Sequence, residues 1–380
     1  MKICVFINNS AGELDWIIPY LELSDLEFEL HIILYQKKLW DKKIDIPTKN
    51  TSVIFGSTHK LHTNIDFFLD NLFRKINRYN VLYKEKTMSL ISFLIKKIRF
   101  ILSHTIKHDE KYDYIFRDYN LVDSIFLLKL LRNTKSCIVF PHSTALMTNF
   151  GKKPKLNHVE CKYFIENTIY HDRFLPLYKK EIRVVGCPPL DKVRSIKLLK
   201  GKKKILVITR NCDEKFFGFN YDDSFKELDK ILSWANHNNY SVDIKHHPRD
   251  SRVKEWRKVT DCYEGINEIS HNLAENNIDY FVCFCFYTSA FIPILAQNIL
   301  CLDISPYKQI YFNKLPYHKW VDGPTHEFRQ LDLLPIIEFD VFLTLSSDYL
   351  GTVLSDQHLS LEKIYMPGSI ARIDELLVTL

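Results

Sequence analysis

The chain has 380 residues, 46% of them hydrophobic and 26% charged, with 52 Lys and Arg against 46 Asp and Glu for a formal charge of +6. That length exceeds what one hydrophobic core serves, so two domains are expected, and the apolar share excludes a disordered chain. The small excess of positive charge excludes the dense basic field of a nucleic-acid binder, and 10 Gly with 14 Pro exclude collagen-like or linker-like architecture.

The nine Cys are scattered from Cys4 to Cys301 with no CxxC pair, which reads as reduced thiols and not as a disulfide framework. The opening MKICVFINN passes directly into a strand-like run with no cleavage-site pattern, and no apolar stretch reaches the roughly 20 residues of a spanning helix. A cytoplasmic protein is expected, with peripheral contact to the cytoplasmic face of a membrane as its only route to lipid.

Short apolar runs alternate with helical patterns, the signature of parallel α/β sheets. Strands are predicted over Lys2 to Ile7, Phe28 to Tyr35, Thr51 to Phe55, Tyr112 to Phe116 and Ser136 to Phe140, with helices over Ile65 to Ile76 and Leu121 to Leu131. The segment Met88 to Lys107 is apolar over much of a helical circumference, with Lys96, Lys97, Arg99 and Lys107 interspersed. Such a helix either lies on an anionic bilayer or packs on its own domain with its lysines reaching outward.

The pattern then restarts. After the basic stretch Lys197 to Lys204, strands are expected over Ile205 to Ile208, Tyr240 to Ile244, Tyr280 to Phe284 and Leu300 to Asp303, with helices over Asp223 to Asn236 and Ala290 to Gln297. The expected organisation is an acceptor-binding Rossmann-like domain over 1–195, a nucleotide-binding one over 196–345, and a helical segment over 346–380 packing back on both. Open α/β sheets bind ligands beyond the carboxyl ends of their strands, so the site belongs in the cleft between the two domains.

Within the second half, Lys245-His-His-Pro248 ends a strand and opens a turn. Proline suits a first helical turn, whose free N–H groups attract anions, and an imidazole there can bind a phosphate and protonate it as it departs. Lys245 adds charge, and Arg210 stands two residues beyond the first strand of this half. A second signal is the strand Tyr280 to Phe286 ending in Thr288 and Ser289 before a helix, where hydroxyls and free N–H groups can cradle phosphate. Cys283 and Cys285, two apart on that strand, read as small core residues. No HExxH, paired-Cys spacing, GxxxxGK[ST] or GxGxxG occurs, so a metal, ATP hydrolysis and nicotinamide chemistry lack their usual marks.

This combination resembles the GT-B transferases that use cytidine nucleotides: bacterial sialyltransferases, capsule Kdo transferases and CDP-glycerol glycerophosphotransferases. Lys245-His-His-Pro248 resembles their K-x-H-P form, and Thr288 to Leu302 resembles their Ser-Ser motif with its helix and following strand. Val185-Gly-Cys-Pro-Pro-Leu-Asp191 is similar to the G-x-P-x-x-D that closes their first domain, which brings Gly186 into the donor-side set. The resemblance implies that His247 binds and protonates the leaving phosphate and that Thr288 and Ser289 also hold it. Pro293 stands where the family places an acidic ribose ligand, and Thr288-Ser289 replaces a serine pair.

Transfer to a hydroxyl acceptor also needs a base. Three first-half residues at strand ends are candidates: Asp15, Asp118 and His142, the last resembling the H-G-T histidine of the glycerophosphotransferases with Ser143 in place of glycine. The expected activity is transfer of an acidic sugar of the sialic, pseudaminic or Kdo type from a CMP-sugar to a surface glycan or glycolipid acceptor. It would need neither metal nor cofactor, since protein donors stabilise the leaving phosphate. A CDP-glycerol or CDP-ribitol phosphotransferase is the alternative, and a non-catalytic subunit of a capsule assembly complex the second.

Overall fold

Both faces of most predicted strands are buried, as near-continuous apolar runs require when helices cover a parallel sheet on each side. The computed structural model describes residues 1–8, 11–36, 39, 50–55, 60–79, 85–118, 124–141, 161–167, 182–195, 203–210, 221–247, 250, 252–271, 273, 277–286, 288–306 and 333–380.

The first half runs β1 (Lys2–Ile7), α1 (Ala11–Leu23), β2 (Glu29–Leu34), β3 (Asn50–Phe55), α2 (Lys60–Tyr79) and α3 (Glu85–Ser103). It continues through β4 (Tyr112–Asp118), α4 (Ile125–Arg132), β5 (Thr134–Phe140), β6 (Cys161–Glu166), β7 (Ile182–Val184) and α5 (Pro188–Arg194). The second half comprises β8 (Lys204–Ile208), α6 (Tyr221–His237), β9 (Ser241–Lys245), α7 (Val253–Thr260), β10 (Ile266–Glu268) and β11 (Val282–Cys285). A 3-10 turn (Ser289–Phe291) leads into α8 (Ile292–Leu295) and β12 (Cys301–Asp303), and α9 (Phe339–Phe342), α10 (Ser347–Ile364) and α11 (Ser369–Thr379) follow.

The strands form two all-parallel sheets, ordered β3-β2-β1-β4-β5-β6-β7 and β10-β9-β8-β11-β12. Each reverses direction of growth beside its own first strand, between β1 and β4 and between β8 and β11. The architecture is therefore the expected α/β one, two doubly wound sheets.

Period-2 alternation sorts the strand residues into cores. Ile205 and Val207 pack with Trp256, Phe284, Phe339 and Phe342 on the outer face of the second sheet. Leu206 and Ile208 belong instead to a core that continues through Cys283 and Cys285 into α1 (Leu14, Trp16, Tyr20), α5 and α11. One apolar core thus runs from one sheet to the other. Cys283 and Cys285, fully buried with their sulfurs 3.6 Å apart, are part of it.

The last two helices tie the halves together. The buried Gln357 of α10 donates to the carbonyls of Cys301 (2.6 Å) and Leu333 (2.9 Å) in the second half. On the other side Asp374 of α11 accepts from Tyr20 (2.9 Å) and Ser24 (2.7 Å), and Tyr114 donates to the Leu377 carbonyl at 2.8 Å. The Asp191 carboxylate of α5 receives the N–H groups of Gly368 and Ser369 at the start of α11, satisfying donors that a helix start leaves open.

Two sequence expectations change here. Asp15, expected at a strand end, lies instead within a helix that starts at Ala11, because burial of Trp16, Ile17, Tyr20 and Leu21 against the shared core outweighs the turn-like Asn-Ser-Gly composition. The helix expected over Ala290 to Gln297 is a 3-10 turn followed by a single α-turn, ended by Asn298 in the left-handed region at φ 62°.

Candidate functional site

In parallel sheets every strand delivers its carboxyl end to one edge. Register pairing draws that edge in the second sheet as a line through Lys245, Ile208, Cys285 and Asp303. Arg210 lies two residues beyond it on β8, His247 two beyond on β9, and Thr288 three beyond on β11. With strands about 4.8 Å apart, the chains carrying His247 and Thr288 leave the sheet roughly 10 Å apart with Arg210 between them. This is the crevice beside β8 and β11 where the winding reverses, the place where such sheets bind ligands.

Lys245 shares the face of Asp243, Leu206 and Ile208, which is the face turned to the common core. Its ammonium donates to the carbonyls of His271 (2.5 Å) and Ser270 (3.5 Å). Burial lowers its pKa, and the Asp15 carboxylate of α1 acts in the opposite direction. The two halves therefore meet electrostatically at this edge.

His246 and His247 have different environments. His246 receives or gives hydrogen bonds on both ring nitrogens, Nδ1 to Thr209 Oγ1 at 2.8 Å and Nε2 to Glu268 Oε1 at 2.8 Å. A carboxylate only accepts, so Nε2 carries the proton and Nδ1 accepts from the Thr209 hydroxyl. Glu268 is held in turn by a bidentate Arg257, at 2.8 and 2.7 Å. Burial lowers the His246 pKa, Glu268 opposing it, which favours the neutral ring. His246 is thus fastened across β8, β9 and β10.

His247, one residue further on, is partly buried at the sheet edge, and its carbonyl accepts the Asp250 N–H at 2.9 Å. The Asp250 carboxylate takes hydrogen bonds from Trp256 Nε1 (2.8 Å), Tyr221 (3.1 Å) and the Arg252 N–H (2.8 Å). The loop carrying His247 is anchored on both flanks, by His246 before it and by Asp250 after it. Pro248 lies outside the described residues.

Thr288 is 4% exposed, and its Oγ1 accepts the Ala290 N–H at 3.2 Å, capping the 3-10 turn while keeping its own proton to donate. Ser289 is the first residue of that turn. Gly186 has φ +89°, and a Cβ there would stand 2.4 Å from the Met366 carbonyl oxygen and 2.9 Å from Arg372 Nη2. Its small size is needed for the link before α11 to pass.

Of the candidate bases, Asp15 is exposed on α1 and Asp118 is the last residue of β4, both beside the β1/β4 reversal of the first sheet. His142 follows β5 by two positions and lies outside the described residues. Among the described residues no group of three or more His, Cys, Asp or Glu is arranged to hold a metal ion.

Sequence reasoning missed Thr209, Glu268, Arg257 and Asp250. Glu268 sits 22 residues from His246 on a three-residue edge strand, and no local spacing announces the pair.

No known protein family matches the chain, and no curated protein matches its sequence. Solved structures do match over nearly its whole length. The wall teichoic acid polymerase TagF, in a variant form, superposes with TM-score 0.55 at 10% identity, covering 100% of this chain and 88% of that one. MnaA from S. aureus, solved with UDP, gives TM-score 0.53 at 10% identity, with 98% and 95% covered. A putative UDP-N-acetylglucosamine 2-epimerase from Listeria monocytogenes gives 0.50 at 11% identity, with 98% and 94% covered. The fold is GT-B.

Proposed function

We propose that the chain is a transferase using a cytidine-activated donor, which it binds at the carboxyl edge of the second sheet. The observation that carries this reading is the convergence of Arg210, Lys245, His247 and Thr288 on one sheet edge, with Asp15 opposite. Donors and cations fixed in advance around a departing phosphate stabilise the charge that develops as the bond to it breaks. His247 takes the role of phosphate ligand and proton donor, and Thr288 and Ser289 add hydroxyls. Lys245 and Arg210 supply positive charge, and Asp15, Asp118 or His142 removes the acceptor proton. The transferred group is an acidic sugar, attached through its anomeric carbon to a surface glycan acceptor, with CMP as leaving group.

A second reading, a CDP-glycerol or CDP-ribitol phosphotransferase, is favoured by the Lys245-His-His-Pro248 form and by the fold shared with a wall teichoic acid polymerase. In that case the acceptor attacks phosphorus, and CMP again departs. A nucleotide ligand is further supported by the UDP present in the MnaA structure of the same fold.

Thermal-shift titration with CMP, CDP, UDP, GDP and ADP tests the site. A ligand at a hundred times its dissociation constant adds about 2.7 kcal/mol of stability. The expected result is selective stabilisation by CMP or CDP, lost in His247→Ala. Consumption of a CMP-sugar against a CDP-polyol then separates the two readings. Stabilisation by UDP alone would overturn the cytidine donor, and an unaltered response in His247→Ala would overturn the site.

A further inference from the structure

Helices α2 and α3 lie antiparallel, joined through Arg99, whose guanidinium bonds Asp66 (2.9 Å) and Asp70 (2.5 Å) on α2. On α3 the residues at helical spacing 95, 99 and 103 are buried, and these form its inward stripe. The outward arc carries Phe93, Leu94, Ile98 and Ile101, the last 63% exposed, with Lys96 and Lys97 also in solvent. The outer side of α2 adds Leu61 and Phe68, 68% and 65% exposed. Large apolar side chains grouped on one helical hairpin, and not scattered singly, mark an interaction surface.

Charge decides what the surface fits. The two helices contain eight Lys and Arg against three acids, and two of those acids, Asp66 and Asp70, are consumed by Arg99. Lys97 holds its ammonium 4.8 Å from the Phe93 ring centre, within the apolar arc itself. A second copy of this face would set lysine against lysine. An anionic bilayer satisfies both features: apolar side chains enter the acyl boundary while lysines extend to the lipid phosphates. Among the described residues no helix is long and apolar enough to cross a membrane, so such contact would be interfacial.

We propose that the outward face of the α2–α3 hairpin docks on an anionic lipid surface, with Phe93, Leu94, Ile98 and Ile101 inserted and Lys96 and Lys97 at the headgroups. This does not depend on which donor the second sheet binds.

Vesicle flotation of the full chain tests it, using phosphatidylcholine alone and phosphatidylcholine with phosphatidylglycerol. Binding is expected on the anionic vesicles and should weaken with added salt. Leu94→Ser with Ile101→Ser, and separately Lys96→Glu with Lys97→Glu, should each lower lipid partitioning by about tenfold or more. These positions are exposed, so the melting temperature and the nucleotide response should be unchanged, which separates failure here from failure of the donor site. Wild-type protein that stays with the soluble fraction on anionic vesicles would overturn the proposal. So would variants that float as well as wild type. A wild-type dimer that the serine variant dissociates, with vesicle binding unaltered, would reassign the face to self-association.

Discussion

The Asp15 carboxylate on α1 acts through space on the Lys245 ammonium at the end of β9, raising a pKa that burial of the lysine lowers. These residues are 230 positions apart and belong to different halves of the chain. Their interaction follows from the edge of the second sheet lying near the first helix of the first half.

Asp15→Asn removes that field, so the Lys245 pKa falls further. Competitive acetylation at pH 8, read by mass spectrometry, should show Lys245 labelled faster relative to exposed lysines in the variant. If Asp15 is the acceptor-side base, turnover also falls by about a hundredfold or more while nucleotide stabilisation persists. Equal Lys245 labelling in both proteins would show that the two groups do not interact.

His246 carries a pH prediction. Its folded-state pKa lies below the ordinary imidazole value, with burial the main cause, so the unfolded chain binds this proton more readily. The neutral ring contributes stability above a pH of about 6.5, and that contribution is lost as pH falls through the folded value. His246→Gln keeps a donor toward Glu268 without a titrating ring. Its melting temperature should decline less than wild type's between neutral pH and pH 5, and parallel profiles would refute the assignment.

Asp250 gives a test of the loop that carries His247. Asp250→Ala leaves the Trp256 indole N–H without this partner in a fully buried residue, at a cost of about 1–3 kcal/mol in urea unfolding. In a Trp256→Phe background the indole N–H is gone, so the same substitution should cost less, and the difference measures the pair. Purely additive effects would mean that the Asp250 carboxylate acts through Tyr221 and the Arg252 N–H and not through Trp256.

The joint at Gly186 and Asp191 is a matter of stability. Gly186→Ala places a methyl against the Met366 carbonyl at a positive φ, and either backbone or strap must shift. Asp191→Ala deprives Gly368 and Ser369 of their acceptor at the start of α11, a loss of about 1–2 kcal/mol. Both variants should be cleaved faster by trypsin in the last two helices. Wild-type cleavage rates would show that the strap is held elsewhere.

The two-sheet α/β architecture was legible because a buried parallel strand must be apolar on both sides. Runs such as Ile205 to Ile208 and Lys2 to Ile7 announce themselves without any partner. The candidate site was legible only where polar residues follow such runs directly, as His247 follows β9 and Thr288 follows β11. Helix α1 was hidden, because its Asn-Ser-Ala-Gly start reads as a turn until Trp16 and Tyr20 have a core to enter. Strands β7 and β10 were hidden too, being only three residues long, while the six residues of β6 include Lys162 and Glu166 and form no continuous apolar run.

The sequence by itself therefore determined the class of fold, two wound α/β sheets, and the polar residues that follow the strand ends, since both follow from local periodicity. Only the tertiary structure decided that His246 is tied to Thr209 and Glu268 while its neighbour His247 stands at the edge. It alone set Asp15 against Lys245, and it alone made Gly186 and Asp191 the seat of the C-terminal strap. Those relationships join residues between 22 and 230 positions apart, by hydrogen bonds and fields that exist only once strand register and a shared core have brought them together.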